Sequence, residues 1–304
     1  IGILIFPSII KKLKIITCVL KGKFIWRIFI EYFSYGWPFG IMMVFIWIMT
    51  LSNRYIIKFY YNSFEVGIYS ALSNISSQSL NFLFSGLMFA VYPVLVKSWR
   101  TGSKKATSQL MTKFIRIYLI ICMPALVGLI LLYSPIIKLF TTSEFLYGYN
   151  IMPYLAITSF LVGLNQYFSK PIELKKQTKL LLIIMLCTSV VNILLALTLI
   201  PKYGLLGAAI STFISYIILL VINYFLGQKF LSYNFPRKSA FKILLSAGCM
   251  GMLIFLIQRR IELNILYIIL LILVSIILYF FLLILLGEIK KNEIDFIRRI
   301  VKVY

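Results

Sequence analysis

Long apolar runs separated by short basic stretches dominate the chain, and their lengths decide what they form. A helix needs roughly 20 apolar residues to cross a hydrocarbon core about 30 Å thick. Eight runs meet that requirement: 35–61, 67–96, 114–133, 150–168, 179–200, 205–227, 240–257 and 264–286, with residues 1–10 reading as the end of a ninth. The pattern predicts an all-α, polytopic transmembrane helix bundle. Between the runs, Lys11 to Glu31 mixes Leu13, Ile16, Val19 and Phe24 with basic residues, and the tail from Gly287 does the same with Ile289, Ile294 and Ile297. Both predict basic amphipathic helices on the membrane surface, a solvated linker and a frayed tail being the plainer alternatives.

Two of the runs carry polar residues where a bilayer tolerates them least. The first passes from the apolar stretch Gly36–Ser52 directly into Asn53, Arg54 and Lys58. Arg54 and Lys58 are four apart and share a helix face. The second carries Ser70, Asn74, Ser77, Asn81 and Ser85 at steps of four, three, four and four, with Gln78 beside them. That spacing draws a single polar stripe down a helix. Two such helices side by side would line a wet, cationic path. Arg54 lies about 10 Å back from Tyr61 on a helix rising 1.5 Å per residue, which puts it in the outer part of the membrane.

Two readings fit each feature. Arg54 and Lys58 either snorkel to the headgroups or face a cavity. The serines of the stripe suit close helix packing, whereas Asn74, Gln78 and Asn81 together suit a hydrated wall. The small residues Gly204, Gly207, Ala208 and Ser211 predict packing, and Asn165, Gln166, Asn192 and Asn223 are isolated polar residues in other spans.

Composition narrows the class. With 62% hydrophobic and 13% charged residues, an ordinary soluble domain is excluded. A net charge of +23 suggests nucleic acid in a soluble protein, but here the basic residues fall between apolar runs, where membrane orientation requires them, so no nucleic-acid partner is expected. If the stretch from Lys11 to Ser34 is cytoplasmic, only Arg54, Lys58, Lys138, Lys202, Arg259 and Arg260 of the 31 Lys and Arg fall on the outer side. That asymmetry predicts a multi-pass protein of the cytoplasmic membrane with both ends of the chain inside. The chain opens on Ile1 within what reads as a hydrophobic helix, so a longer protein is expected and no signal peptide is assigned.

Candidate chemistry is sparse. There is no histidine, and Cys18, Cys122, Cys187 and Cys249 stand alone, so neither a metal site nor a cofactor is expected. All eight carboxylates, among them Glu31, Glu65, Glu173 and Glu288, fall in loops or at span ends. That argues against an enzyme such as a membrane glycan polymerase or ligase, which would also need a large outer loop.

The chain resembles polysaccharide or lipid-linked oligosaccharide flippases (O-antigen flippase-like) of the multidrug/oligosaccharidyl-lipid/polysaccharide exporter superfamily. The resemblance rests on Tyr35 Gly36 Trp37 Pro38, on Ser52 Asn53 Arg54 Tyr55, on Glu65 Val66 Gly67 Ile68 Tyr69 Ser70, and on Asn192 through Pro201 Lys202 Tyr203 Gly204 to Thr212. It implies spans seven to fourteen of a fourteen-helix member: residues 1–34 a preceding helix end and basic linker, 35–235 a six-helix lobe, and 236–304 two accessory helices with a basic tail. It further implies alternating-access flipping of an undecaprenyl-diphosphate-linked oligosaccharide, with membrane lipids and polysaccharide polymerase machinery as partners. A multidrug or peptidoglycan-precursor exporter is the alternative within the superfamily. The substrate-binding candidates are Asn53, Arg54, Lys58, Asn74, Ser77, Gln78 and Asn81. Asn53 departs from the Asp common in the family at that place, which puts any ion role assigned to that Asp in question.

Overall fold

A computed structural model describes residues 22–135, 148–258 and 265–288. Eight long helices account for most of them: α1 (Gly22–Tyr60), α2 (Ser63–Arg100), α3 (Lys104–Leu131), α4 (Met152–Leu174), α5 (Thr178–Tyr203), α6 (Leu205–Phe230), α7 (Arg237–Gln258) and α8 (Ile265–Leu285). Seven of these are long and apolar enough to cross a membrane, α4 being the exception. The expected end of a ninth span at residues 1–10, the first half of the Lys11–Glu31 surface segment, most of the stretch 134–149 between two expected spans and the tail after Glu288 lie outside the described residues.

Helix ends follow local chemistry. Asn62 begins α2 because its side-chain oxygen accepts the Glu65 N–H at 3.0 Å, so the polar stretch 62–65 is a cap and a first turn. Ser103 does the same for α3 through the Ala106 N–H. Between α5 and α6 the sequence suggests that Pro201 stops the first helix, yet α5 runs through it to Tyr203. Proline in a last turn forfeits one hydrogen bond and is tolerated, and Gly204 ends the helix by adopting φ 57°. At the start of the chain, α1 has 39 residues and is unbroken across residue 34. Its length is about 58 Å at 1.5 Å per residue, well beyond a bilayer core. No proline follows Gly22 until Pro38, so nothing separates the basic segment from the span.

The helices pack in an order that the chain order does not give. The first, α1, lies on α5, α5 on α6, α6 on α4, and α4 on both α2 and α3, while α7 lies on α3 and α8 on α7. This explains α4. Roughly half of its 23 residues are buried, so it meets protein more than lipid and carries Thr158, Ser159, Asn165 and Gln166 without exposing them to hydrocarbon. Three of the four isolated amides of the sequence find side-chain partners here. Asn223 on α6 donates to Asn165 Oδ1 on α4 at 2.8 Å, and Asn192 on α5 donates to Ser215 on α6 at 3.3 Å. The small-residue face does pack: a Cβ on Gly207 would meet the Leu199 carbonyl oxygen at 2.3 Å, so α5 and α6 touch backbone to backbone.

Basic side chains collect at one end. Lys170 bonds Glu173 at 2.7 Å and sits 4.4 Å over the Tyr92 ring, Lys175 lies over Trp99, and Lys176 reaches Glu31. These contacts bring the start of α1, the end of α2 and the α4–α5 turn together. Glu288, just past α8, is 5% exposed and pairs with Arg116 of α3 at 2.6 Å. Gly287, at φ 64°, turns the chain to put it there, and Lys242 of α7 caps the Leu286 carbonyl at 2.7 Å. The carboxylates Glu173 and Glu288 are thus at span ends as the sequence suggests, but packed against cations and not solvated. At the opposite end, Tyr61 donates to the Ile200 carbonyl and holds α1 to the α5–α6 turn.

Candidate functional site

After the short turn at Tyr61 and Asn62, α1 leans on α5 and α2 leans on α4. A furrow of about 130 Å³ opens between them, with α4 and α6 as its floor. Its walls are Thr50 and Arg54 from α1 and Ser73, Asn74 and Ser77 from α2, and its floor includes Thr158, Ser159, Thr212 and Tyr216. A space of that size with this many polar groups holds several waters.

The hydroxyls are mostly committed to their own helices. Thr50 donates to the Ile46 carbonyl, Ser77 to Asn74, Thr158 to Tyr154, Ser159 to Leu155 and Thr212 to Ala208. Their protons are spent inside the bundle, where Thr212 and Ser159 also meet Asn53 and Ser76, and donors to the furrow must come from elsewhere. Arg54 supplies them. It is half-buried, its Nη2 donates to Asn74 Oδ1 at a long 3.5 Å, and its Nε is buried with no partner. None of the ion pairs among the described residues reaches it. A guanidinium removed from bulk water without a carboxylate beside it favours an anion that can occupy its fork.

The sequence candidates divide. Arg54, Asn74 and Ser77 line the furrow together. Asn53 is not in the furrow lining but bonds behind it: it is 1% exposed, and its amide donates to Thr212 Oγ1 at 2.7 Å, to Tyr69 Oη at 3.2 Å and to the Ala208 carbonyl at 3.4 Å. It ties α1 to α2 and α6 behind the arginine. A carboxylate in its place would offer no donor to the Ala208 carbonyl, which gives the amide at this position a physical reason. Lys58 is exposed one turn beyond Arg54 and is not part of the furrow wall. Gln78 is exposed and Asn81 half-exposed, further along the same partly open face of α2.

Sequence reasoning missed the floor. Thr158 and Ser159 on α4 and Tyr216 on α6 stood unremarked, Thr212 was named only within the resemblance, and the available signal for the α4 pair was the low hydropathy of that helix as a whole. Among the described residues no cluster of three or more His, Cys, Asp or Glu comes together to hold a metal.

Residues 1–99, which include both walls of the furrow, match a family described as polysaccharide biosynthesis protein. No curated protein matches the sequence. Among solved structures, the chain is similar to one described as lipid II flippase MurJ in an inward closed conformation, at TM-score 0.71 and 23% identity, covering 92% of this chain. It is also similar to a multidrug/oligosaccharidyl-lipid/polysaccharide exporter superfamily transporter from Pyrococcus furiosus, at TM-score 0.55 and 15% identity over 72% of this chain. The chain spans 60% and 52% of the lengths of those two proteins. The family match is confined to residues 1–99, α1 and α2 included, and the two solved structures show that the fold of this multi-pass membrane protein is shared across most of its helices.

Proposed function

We propose that this protein belongs to the machinery that moves an undecaprenyl-diphosphate-linked oligosaccharide across the cytoplasmic membrane by alternating access, for surface polysaccharide synthesis. The observation that carries the reading is Arg54, which stands in a polar furrow between two spans with a buried, unpartnered Nε and no counter-ion among the described residues. A diphosphate cannot enter hydrocarbon unaided. Charge-assisted hydrogen bonds from the guanidinium offset part of its lost hydration, and the furrow's hydroxyls and Asn74 keep water beside it. In this scheme residues 35–235 are a six-helix lobe whose furrow faces the cargo, and 236–304 supply two accessory helices. Both ends lie in the cytoplasm, and a polysaccharide polymerase receives the product on the outer face. The match to a polysaccharide biosynthesis family over residues 1–99, which include both furrow walls, supports the choice of a glycan cargo.

A peptidoglycan-precursor exporter is the second reading, favoured by the fold shared with a protein described as a lipid II flippase. The two separate in one experiment on the full-length protein. The double variant Arg54→Ala with Lys58→Ala is expected to abolish surface glycan while membrane abundance and peptidoglycan synthesis hold. Normal glycan display by that variant refutes the furrow's role, and loss of peptidoglycan synthesis alone favours the second reading.

A further inference from the structure

The corner where α6 passes into α7 encloses an open groove of about 740 Å³, and its carbonyls are already occupied. Ser108 and Thr112 of α3 donate to the carbonyls of Ser232 and Asn234 at 2.6 and 2.8 Å. Gln228 clasps Tyr233 from both sides, donating to its carbonyl at 2.7 Å and accepting its N–H at 3.1 Å. Three consecutive acceptors are thereby held away from the groove, and the linker is fixed in place.

What remains on the groove is a surplus of donors. Arg237 and Lys238 are exposed in the first turn of α7, and the N–H groups of Lys238 and Ser239 make none of the hydrogen bonds found among the described residues. A helix N-terminus of this kind favours an anion. Independently, Tyr233 lines the groove, is 3% exposed, and keeps a buried hydroxyl with no partner. Burial pushes that phenol's pKa up, so it stays a donor.

We propose that this corner binds the phosphate of an anionic phospholipid headgroup. Both helices that meet here are membrane spans, so the groove lies at the edge of the hydrocarbon. Phe225 follows the lining Tyr224 on α6, and Phe241 and Leu244 follow the lining Ser239 on α7; all three are exposed and offer apolar surface to acyl chains. The site is separate from the furrow and does not depend on the cargo.

The test titrates purified full-length protein in detergent with phosphatidylglycerol and with phosphatidylcholine of the same acyl chains, reading bound lipid by native mass spectrometry. Phosphatidylglycerol is expected to be retained in preference. Arg237→Gln with Lys238→Gln weakens it about tenfold, whereas Lys175→Gln with Lys176→Gln, which removes the same charge at the same end, changes it less than about twofold. Tyr233→Phe weakens it several-fold. Equal losses from the two double variants, no preference over phosphatidylcholine, or no effect of Tyr233→Phe overturns the proposal. Inorganic phosphate is the remaining arm: if it displaces phosphatidylglycerol at matched concentration, the ligand is a soluble phosphate and the lipid assignment is wrong.

Discussion

Arg54 and Lys58 are one turn apart on the same helix, and the structure separates their fates. Arg54 stands in the furrow against Asn74, while Lys58 is exposed outside it. Single substitutions should therefore differ sharply. A hydrogen bond to a charged group contributes about 1.5–3 kcal/mol, so Arg54→Ala should weaken binding of a lipid diphosphate by roughly ten- to a hundredfold. An exposed cation contributes about 0–1 kcal/mol, so Lys58→Ala should cost no more than about fivefold. Stability should barely move in either case, because the one hydrogen bond that Arg54 makes among the described residues is a 3.5 Å contact. Arg54→Lys keeps the charge but loses the planar fork, and should fall between. The assay is the affinity of purified full-length protein for undecaprenyl diphosphate, with thermal unfolding of each variant as the control. If Lys58→Ala loses as much affinity as Arg54→Ala, or Arg54→Ala loses none, the furrow is not the diphosphate site. If Arg54→Ala lowers the melting temperature substantially, the residue is structural and the argument from its free donors fails.

Three further outcomes are expected. Asn53→Ala removes the donor shared by Thr212, Tyr69 and Ala208 and should destabilise the protein by about 1–3 kcal/mol, visible as a lower melting temperature. Glu288→Gln breaks the buried pair with Arg116 and should cost about 3 kcal/mol, loosening α8 from α3 and α7 so that limited proteolysis cuts first near residue 288. With the native cysteines replaced, cysteine at Asn74 or Ser77 should react with a water-soluble thiol reagent in membranes while cysteine at Ser189, buried at 1% exposure, stays protected; uniform protection would mean the furrow is dry.

The number of helices, their apolar character and the gathering of basic residues between them were legible in the residues, because a bilayer imposes a length and a composition on whatever crosses it. So was the existence of a polar stripe on α2 and of charge near the end of α1. Periodicity fixes the angle of each side chain about its own axis. It does not say which neighbour that angle meets. Asn53 and Arg54 are adjacent in sequence and about 100° apart on the helix, and packing of α1 on α5 and α6 turned one inward to a hydrogen-bonded junction and the other to the furrow. Lys58 shares a face with Arg54 but lies about 6 Å further along it, past the furrow.

Tertiary packing alone also paired Asn165 with Asn223, enclosed the polar α4, drew Thr158, Ser159 and Thr212 to the furrow floor, and buried Glu288 against Arg116. Each of these joins residues that are 50 or more positions apart, or whose partner sits on a helix that the chain reaches much later. A single-helix pattern carries no record of such a neighbour. The membrane dictated the elements through the cost of exposed backbone and charge, and the contact between helix faces decided which polar groups were satisfied and which, like Arg54, were left with hydrogen bonds to give.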